Sequence, residues 1–162
     1  MSRSRAILYL AILGFFFLET ALFNRLRIFG TKPELLLVAT IFFGFYFGRF
    51  RGMEVGAVAG LLKDVFTIGA FGVNAFLFLT AGFIAGAIKD KVFKETFIMQ
   101  FFFSFLAALF FSSIFFLHLG KAAGYPVDQD LWLAGIYKAL YTGFLGPAVF
   151  SILSKTFTQA NT

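Results

Sequence analysis

Long apolar blocks are the feature that most limits the folds open to this chain. The block from Phe97 to Leu117 contains no charged side chain and is apolar on every face. A run of this kind suits the hydrocarbon core of a bilayer, which is roughly 30 Å thick and takes about 20 helical residues to cross. A transmembrane β-barrel would instead alternate polar and apolar residues over segments of about ten. The sequence therefore predicts an α-helical membrane protein.

Composition supports this class. Hydrophobic residues make up 60% of the 162 positions, with 28 Phe among them, and a water-soluble domain of this size cannot bury so much apolar surface. The chain has no Cys and one His, so its sequence offers no thiolate ligand, no disulfide and no histidine metal cluster. The net charge of +6 comes from short basic segments beside the apolar blocks, whereas nucleic-acid binding requires an extended basic face.

Six spans fit the order of apolar blocks and charged connectors. The first follows Arg3 and Arg5, and because it lacks a small-x-small cleavage site we expect an uncleaved helix and not a signal peptide. The block from Val55 to Ile88 would be about 51 Å long as one straight helix, too long for a single crossing, so it is predicted to be a hairpin. The predicted spans are 6–23, 34–48, 54–68, 72–88, 96–119 and 131–153, and they form a single integral membrane domain over 1–162.

The distribution of Lys and Arg predicts that both termini lie in the cytoplasm. With six spans, eight basic residues fall on one side of the membrane and five on the other, with Lys138 inside the sixth span. The clusters at 3–5, 49–51 and 89–94 all fall on the more basic side. With five spans, Lys155 would fall outside.

Glycine recurs at every fourth position through the middle of the chain. The series comprises Gly44, Gly48, Gly52, Gly56 and Gly60, and Gly82 and Gly86 repeat the spacing later. Small residues at this spacing let helix backbones approach closely in lipid, so packing between helices is the first interpretation. The alternative is a face of small residues, continued by Asp64, that receives the helix of a partner protein.

Asp64 is the most informative ionisable residue, because a carboxylate deep in a bilayer costs about 2.5 to 3.5 kcal/mol on insertion scales. Two interpretations stay open. In the first, Asp64 lies at the outer end of a short third helix and pairs locally with Lys63. In the second, it faces the bundle beside Gly56 and Gly60, where Lys138 is a candidate partner.

Other polar residues mark helix ends. Glu19, near the end of the first span, is either an interfacial carboxylate or a buried partner of a cation. Thr31 and Glu34 have the spacing of a capping box, with Pro33 in the first turn of the second helix. We find no assembled catalytic set, metal site or cofactor motif, so the sequence predicts a protein that is not an enzyme.

Most of the chain resembles in layout the MreD family of rod shape-determining membrane proteins, and the specific residues of this resemblance lie between Pro33 and Gly86. The resemblance lies in a first helix behind basic residues, a Pro-acid-Leu-Leu opening at 33–36, an Arg-bounded turn at 49–51, and a Gly-x-x-x-Gly-Leu-Leu-x-Asp segment at 56–64. A glycine-bearing turn then precedes a fourth helix rich in Leu and Gly.

This resemblance implies a function and a set of partners. It implies a multi-pass protein of the bacterial inner membrane that acts as a scaffold in cell elongation and peptidoglycan synthesis and needs no cofactor. Its direct partner would be the bitopic protein MreC, and its indirect partners MreB, RodA and a class B penicillin-binding protein. The family is also similar in fold to the substrate-binding S components of energy-coupling-factor transporters, which gives the alternative function of a small-molecule-binding transporter component.

Overall fold

The computed structural model describes residues 2–22, 31–66, 71–91, 95–123 and 129–158. Within these ranges it is built from six helices, one for each predicted span, so the expected all-α fold is confirmed. They are α1 (Ser2–Phe17, continued by a π-helical turn over Leu18–Leu22), α2 (Leu35–Phe47), α3 (Arg49–Phe66), α4 (Val73–Ile88), α5 (Phe97–Ala123) and α6 (Gln129–Thr158).

Two of these helices are long and apolar enough to cross a membrane by themselves. The qualifying segments are Phe97–Leu117 in α5 and Gln129–Phe157 in α6. Leu8–Ala21, α2 and α4 are shorter apolar helices. At 1.5 Å per residue, α2 is about 20 Å long, shorter than the hydrocarbon core of roughly 30 Å.

Helix α2 lies at the centre of the bundle. Every residue from Leu35 to Phe45 is buried, because the α3–α4 hairpin covers one side of α2 and α5 and α6 cover the other. Aromatic rings fill the second interface: the Phe42 ring centroid lies 5.4 Å from that of Phe150, and the Phe45 centroid lies 5.1 Å from that of Phe103. The apolar side chains of α2 therefore face protein and not lipid.

A single residue, Gly48, connects α2 to α3. Its φ of +90° lies in the left-handed region that glycine adopts readily and other residues rarely, so the chain reverses direction without a loop. Helix α3 consequently begins at Arg49, five residues before the predicted start at 54. The prediction of a basic turn outside the helix is wrong, because Arg49 and Arg51 lie in the first turn of α3.

The bundle has two chemically different ends. At one of them, which we call the basic end, Lys89 Nζ lies 3.7 Å from where a Cβ at Gly48 would sit, and the Arg49 guanidinium lies 5.8 Å from the Phe83 ring centroid. The start of α3 and the end of α4 therefore meet there. The opposite end, called the far end below, contains the start of α2, the end of α3 and the start of α4.

Helix α6 is longer than the predicted span 131–153 and continues through Pro147 without interruption. The two glycines that precede this proline face α5. A Cβ at Gly146 would come within 2.5 Å of Ser104 Oγ, and one at Gly143 within 3.0 Å of Phe105 Cβ. These glycines therefore serve close packing of α6 on α5.

Candidate functional site

Oppositely charged side chains from three helices meet at the far end. Glu34, which immediately precedes α2, pairs through Oε1 with Lys63 Nζ of α3 at 2.8 Å and with Lys138 Nζ of α6. The Glu34 side chain is 7% exposed, and those of Lys63 and Lys138 are 15% and 22% exposed. Ions so far from water are stable only when they are paired, so this charge cluster fixes three helices relative to one another.

Glu19 extends the charge cluster to the first helix. Its Oε1 lies 3.7 Å from Lys63 Nζ, and its Oε2 accepts the backbone N–H of Leu36 at 3.1 Å. The residue is only 4% exposed. The structure thus places Glu19 as a buried partner of a cation, which was one of its two sequence interpretations, and its carboxylate also satisfies a free amide at the start of α2.

The start of α2 differs from the predicted capping box. Glu34 is the N-cap residue, but its side chain makes no capping hydrogen bond, because its carboxylate pairs with the two lysines. Because Glu34 is the N-cap, Thr31 is not the capping residue that the sequence predicted. Pro33 precedes the helix and, contrary to the prediction, does not lie in its first turn. The backbone N–H of Glu34 donates instead to Thr142 Oγ1 of α6 at 3.0 Å.

Asp64 caps α4. Its carboxylate accepts the backbone N–H groups of Gly72, Asn74 and Ala75 at 3.0 to 3.1 Å, and the side-chain amide of Asn74 at 2.9 Å. Asp64 is 6% exposed and faces the bundle. Both predicted ion pairs, with Lys63 and with Lys138, are wrong, because these lysines pair with glutamates. A carboxylate among the free amides of a helix N-terminus is already well satisfied.

Replacing Asp64 with alanine should therefore loosen the α3–α4 hairpin. The change leaves four donors without their acceptor, and we expect a loss of about 1 to 3 kcal/mol, read as a lower midpoint of thermal unfolding in detergent. Asp64→Asn should lose less stability, because the amide oxygen of Asn still accepts hydrogen bonds from the backbone N–H groups. Asp90→Ala, at an exposed position, is the control, and equal midpoints for Asp64→Ala and Asp90→Ala would contradict this role.

The glycine series packs helices of the chain against one another. Cβ atoms at Gly52, Gly56 and Gly60 of α3 would overlap the α4 backbone at Gly82, Phe78 and Ala75. A Cβ at Gly44 would lie 2.8 Å from the Gly82 carbonyl oxygen, and one at Gly86 would overlap Arg49. Gly48 forms the α2–α3 turn. The other glycines of the series lie where α2, α3 and α4 contact one another and are therefore already covered by these helices. A partner helix could reach this face only by displacing one of them.

A cavity of 410 Å³ adjoins the charge cluster, with Glu19, Glu34, Lys63 and Lys138 among its lining residues. Within the described ranges, no three His, Asp or Glu side chains are grouped to hold a metal ion. The carboxylates and ammonium groups that line the cavity can pair charges and can accept or donate hydrogen bonds.

Sequence reasoning missed the charge cluster, although a signal was present. Glu34 opens the second predicted span, Lys63 lies near the end of the third, and Lys138 lies in the first half of the sixth. In a six-span topology these three positions fall on the same side of the membrane. Charged residues at matching depth in different spans are candidates for pairing, and this criterion selects all three from the sequence alone.

An all-helical membrane bundle held together by a largely buried charge cluster is the class that this fold and site define. Residues 4–156 match the family model described as rod shape-determining protein MreD, so the chain belongs to the MreD family and is a rod shape-determining membrane protein. The match confirms the resemblance and extends it over parts of all six helices. Comparisons with curated proteins and with solved structures gave no match.

Proposed function

We propose that this chain is a non-enzymatic scaffold of the cell-elongation machinery in the bacterial inner membrane and that it binds MreC. Family membership over residues 4–156 is the observation that carries the proposal. Through MreC, the chain would act indirectly with MreB, RodA and a class B penicillin-binding protein in peptidoglycan synthesis.

The bundle's construction supports a scaffold. Helix α2 is enclosed by its neighbours, and the charge cluster ties its start to α3 and α6. Because apolar burial does not drive helix association in lipid, a partner helix binds through close packing and hydrogen bonds. A bundle with fixed helix positions presents one defined surface for that packing. We place this surface outside the glycine series, which the chain's own helices cover.

Six membrane crossings with both termini in the cytoplasm are part of the proposal. The alternating directions of the helices support it, as does the grouping of Arg49, Arg51 and Lys89 at the basic end. By the positive-inside rule, this end faces the cytoplasm and the charge cluster lies in the outer half of the membrane.

Single cysteines test this topology, since the chain has no native Cys. Exposed Gln129, at the start of α6, and exposed Lys91, after α4, lie toward opposite ends. Gln129→Cys should react with an impermeant maleimide on intact spheroplasts, and Lys91→Cys only after permeabilisation. Labelling of both from the same side would contradict the six crossings.

Copurification tests the partner. We expect tagged protein to retain MreC through detergent purification, and to lose it when the transmembrane helix of MreC is replaced by an unrelated apolar helix. If the chain is instead a transporter component, the tagged protein should retain an energy-coupling membrane subunit. Retention of that subunit without MreC would contradict the scaffold proposal.

A further inference from the structure

A second cavity, of 570 Å³, lies at the basic end of the bundle between the end of α2, the start of α5 and the second half of α6. Tyr46, which lines it, is two residues before the Gly48 turn. The volume falls within the range of roughly 300 to 1,000 Å³ found for small-molecule sites. Three of the polar lining residues, Glu95, Ser151 and Lys155, are exposed. A ligand can therefore reach these side chains in the folded bundle.

The wall formed by α6 carries a cation and a hydroxyl group on one helix face. Ser151 and Lys155 both line the cavity and are four residues apart, a spacing that places the Cβ atoms on a helix about 5 to 6 Å from each other. Lys155 makes no salt bridge with a described residue. The Ser151 hydroxyl makes no hydrogen bond with one, although its carbonyl oxygen accepts from Ser154. An ammonium group beside a free hydroxyl donor suits a phosphate.

The wall on the α5 side carries an anion. Glu95, just before α5, lines the cavity and makes no salt bridge with Lys155 or with any other described residue. Its carboxylate lies within electrostatic range of the Tyr46 hydroxyl at the end of α2. The cavity therefore presents two opposite charges, each without an ionic partner in the described chain. A phosphate ester that also carries a cation would be attracted by both groups, whereas a purely anionic one would be repelled by Glu95.

One aromatic side chain connects this cavity with the outer surface of the bundle. Phe97 lines the cavity and is 59% exposed. It begins α5, one of the two helices that are long and apolar enough to cross a membrane. The ends of such helices lie at the depth of the lipid headgroups. A lipid could therefore place its headgroup in the cavity while an acyl chain contacts Phe97.

We propose that this cavity binds a zwitterionic phosphate ester, with the phosphate at Ser151 and Lys155 and the cationic group toward Glu95. Phosphatidylethanolamine and water-soluble phosphoethanolamine share this chemistry, and the exposed Phe97 favours the lipid. The preference runs against the general attraction of basic membrane-protein segments for anionic lipids. The inference goes beyond the proposed function, because it depends neither on MreC binding nor on which leaflet the basic end faces.

Crosslinking with competition tests the site and its chemistry. Delipidated protein in detergent is irradiated with a phosphatidylethanolamine that carries a diazirine near the carboxyl end of one acyl chain, and the crosslinked peptides are identified by mass spectrometry. We expect adducts to concentrate at 95–100 and 147–155. Unlabelled phosphatidylethanolamine should compete about five-fold more effectively than phosphatidylglycerol with identical chains. Equal competition by the two lipids, or adducts spread evenly over α5 and α6, overturns the proposal.

Phosphoethanolamine separates the two sources of this headgroup. It carries the same charges as the lipid but has no acyl chain, so it should compete at least about ten-fold more weakly when the chains contribute to binding. Competition at the same concentrations as the lipid would support the proposed chemistry and assign the natural ligand to the aqueous phase.

Two variants assign the contacts, with affinities taken from the competition curves. Lys155→Gln should lower the affinity for both lipids about five-fold, because both lose the cation that faces the phosphate. Glu95→Gln should weaken phosphatidylethanolamine alone and so remove its advantage. The matched controls are Lys91→Gln and Asp90→Asn, which neutralise exposed charges of the same two signs at the basic end, outside the cavity lining.

A general loss of stability would not produce this pattern. Neither Glu95 nor Lys155 has an ionic partner in the described chain, so the unfolding midpoints of both cavity variants without lipid should match that of the unmodified protein. Affinities for phosphatidylethanolamine in both cavity variants that equal those of the two controls overturn the site.

Discussion

Glu34→Ala is expected to destabilise the bundle by about 3 to 5 kcal/mol, the usual result of removing one partner from a buried ion pair. The substitution leaves Lys138 without its carboxylate partner and leaves Lys63 with Glu19 alone, at 3.7 Å. Both lysine side chains are mostly buried, at 15% and 22% exposed, so water replaces the lost carboxylate only in part. The measurement is the unfolding midpoint in detergent, together with the amount of folded protein recovered from membranes.

Two comparisons make this prediction specific. Glu54→Ala also removes an ion-paired carboxylate, but Glu54 and its partner Arg51 are about one-third exposed, so the loss should be about 0 to 1 kcal/mol. The double variant Glu34→Leu with Lys138→Met removes a buried pair together and keeps the Lys63–Glu19 contact, and it should recover much of the loss. A Glu34→Ala effect no larger than that of Glu54→Ala would contradict the structural role of the charge cluster.

Gly82→Leu is expected to separate α3 from α4, at a cost of about 3 kcal/mol or more. A Cβ at Gly82 would already overlap the backbone of Gly52. Because the obstacle is backbone and not a flexible side chain, no rotamer change can relieve the overlap. The midpoint of unfolding and resistance to protease in detergent should both fall.

Gly14→Leu is the matched control for the glycine series. Gly14 lies in α1, also within a helix, but a Cβ there would meet nothing within 4 Å. The change in the unfolding midpoint caused by Gly14→Leu should therefore be near zero. Gly60→Leu should behave like Gly82→Leu, so a lost MreC complex in that variant would follow from a damaged bundle. Similar stability of Gly14→Leu and Gly82→Leu would contradict the close packing of α3 and α4.

Sequence alone predicts the helices well because most of them coincide with an apolar block bounded by charged or glycine-bearing segments. The division of the block from Val55 to Ile88 into two helices is correct, since one helix of that length exceeds a bilayer. The exact ends are harder to predict. The reversal at Gly48 depends on a positive φ at one residue, and glycine at helical spacing gives no sign of whether it lies within a helix or between two.

The polar site is less predictable because its pairings are tertiary. The sequence interpretation that Asp64 faces the bundle agrees with its burial. Its partners, however, are mostly backbone amides at the start of α4, and because every residue has a backbone, the amino-acid pattern cannot identify them. The spacing of Thr31 and Glu34 favours a capping box on local grounds. The tertiary contacts that pair the Glu34 carboxylate with Lys63 and Lys138 override that local preference.

Depletion in the native cell tests the central claim most directly. The cell width is followed by microscopy after expression of the chain is switched off, with plasmid copies of the unmodified chain, Glu54→Ala or Glu34→Ala supplied in turn. We predict that depleted cells widen and round, and that copies of the unmodified chain or of Glu54→Ala restore rods. The copy with Glu34→Ala should fail to restore them, and the extent of the failure should follow the amount of folded protein that this variant loses. Unchanged rod shape after complete depletion would contradict the account.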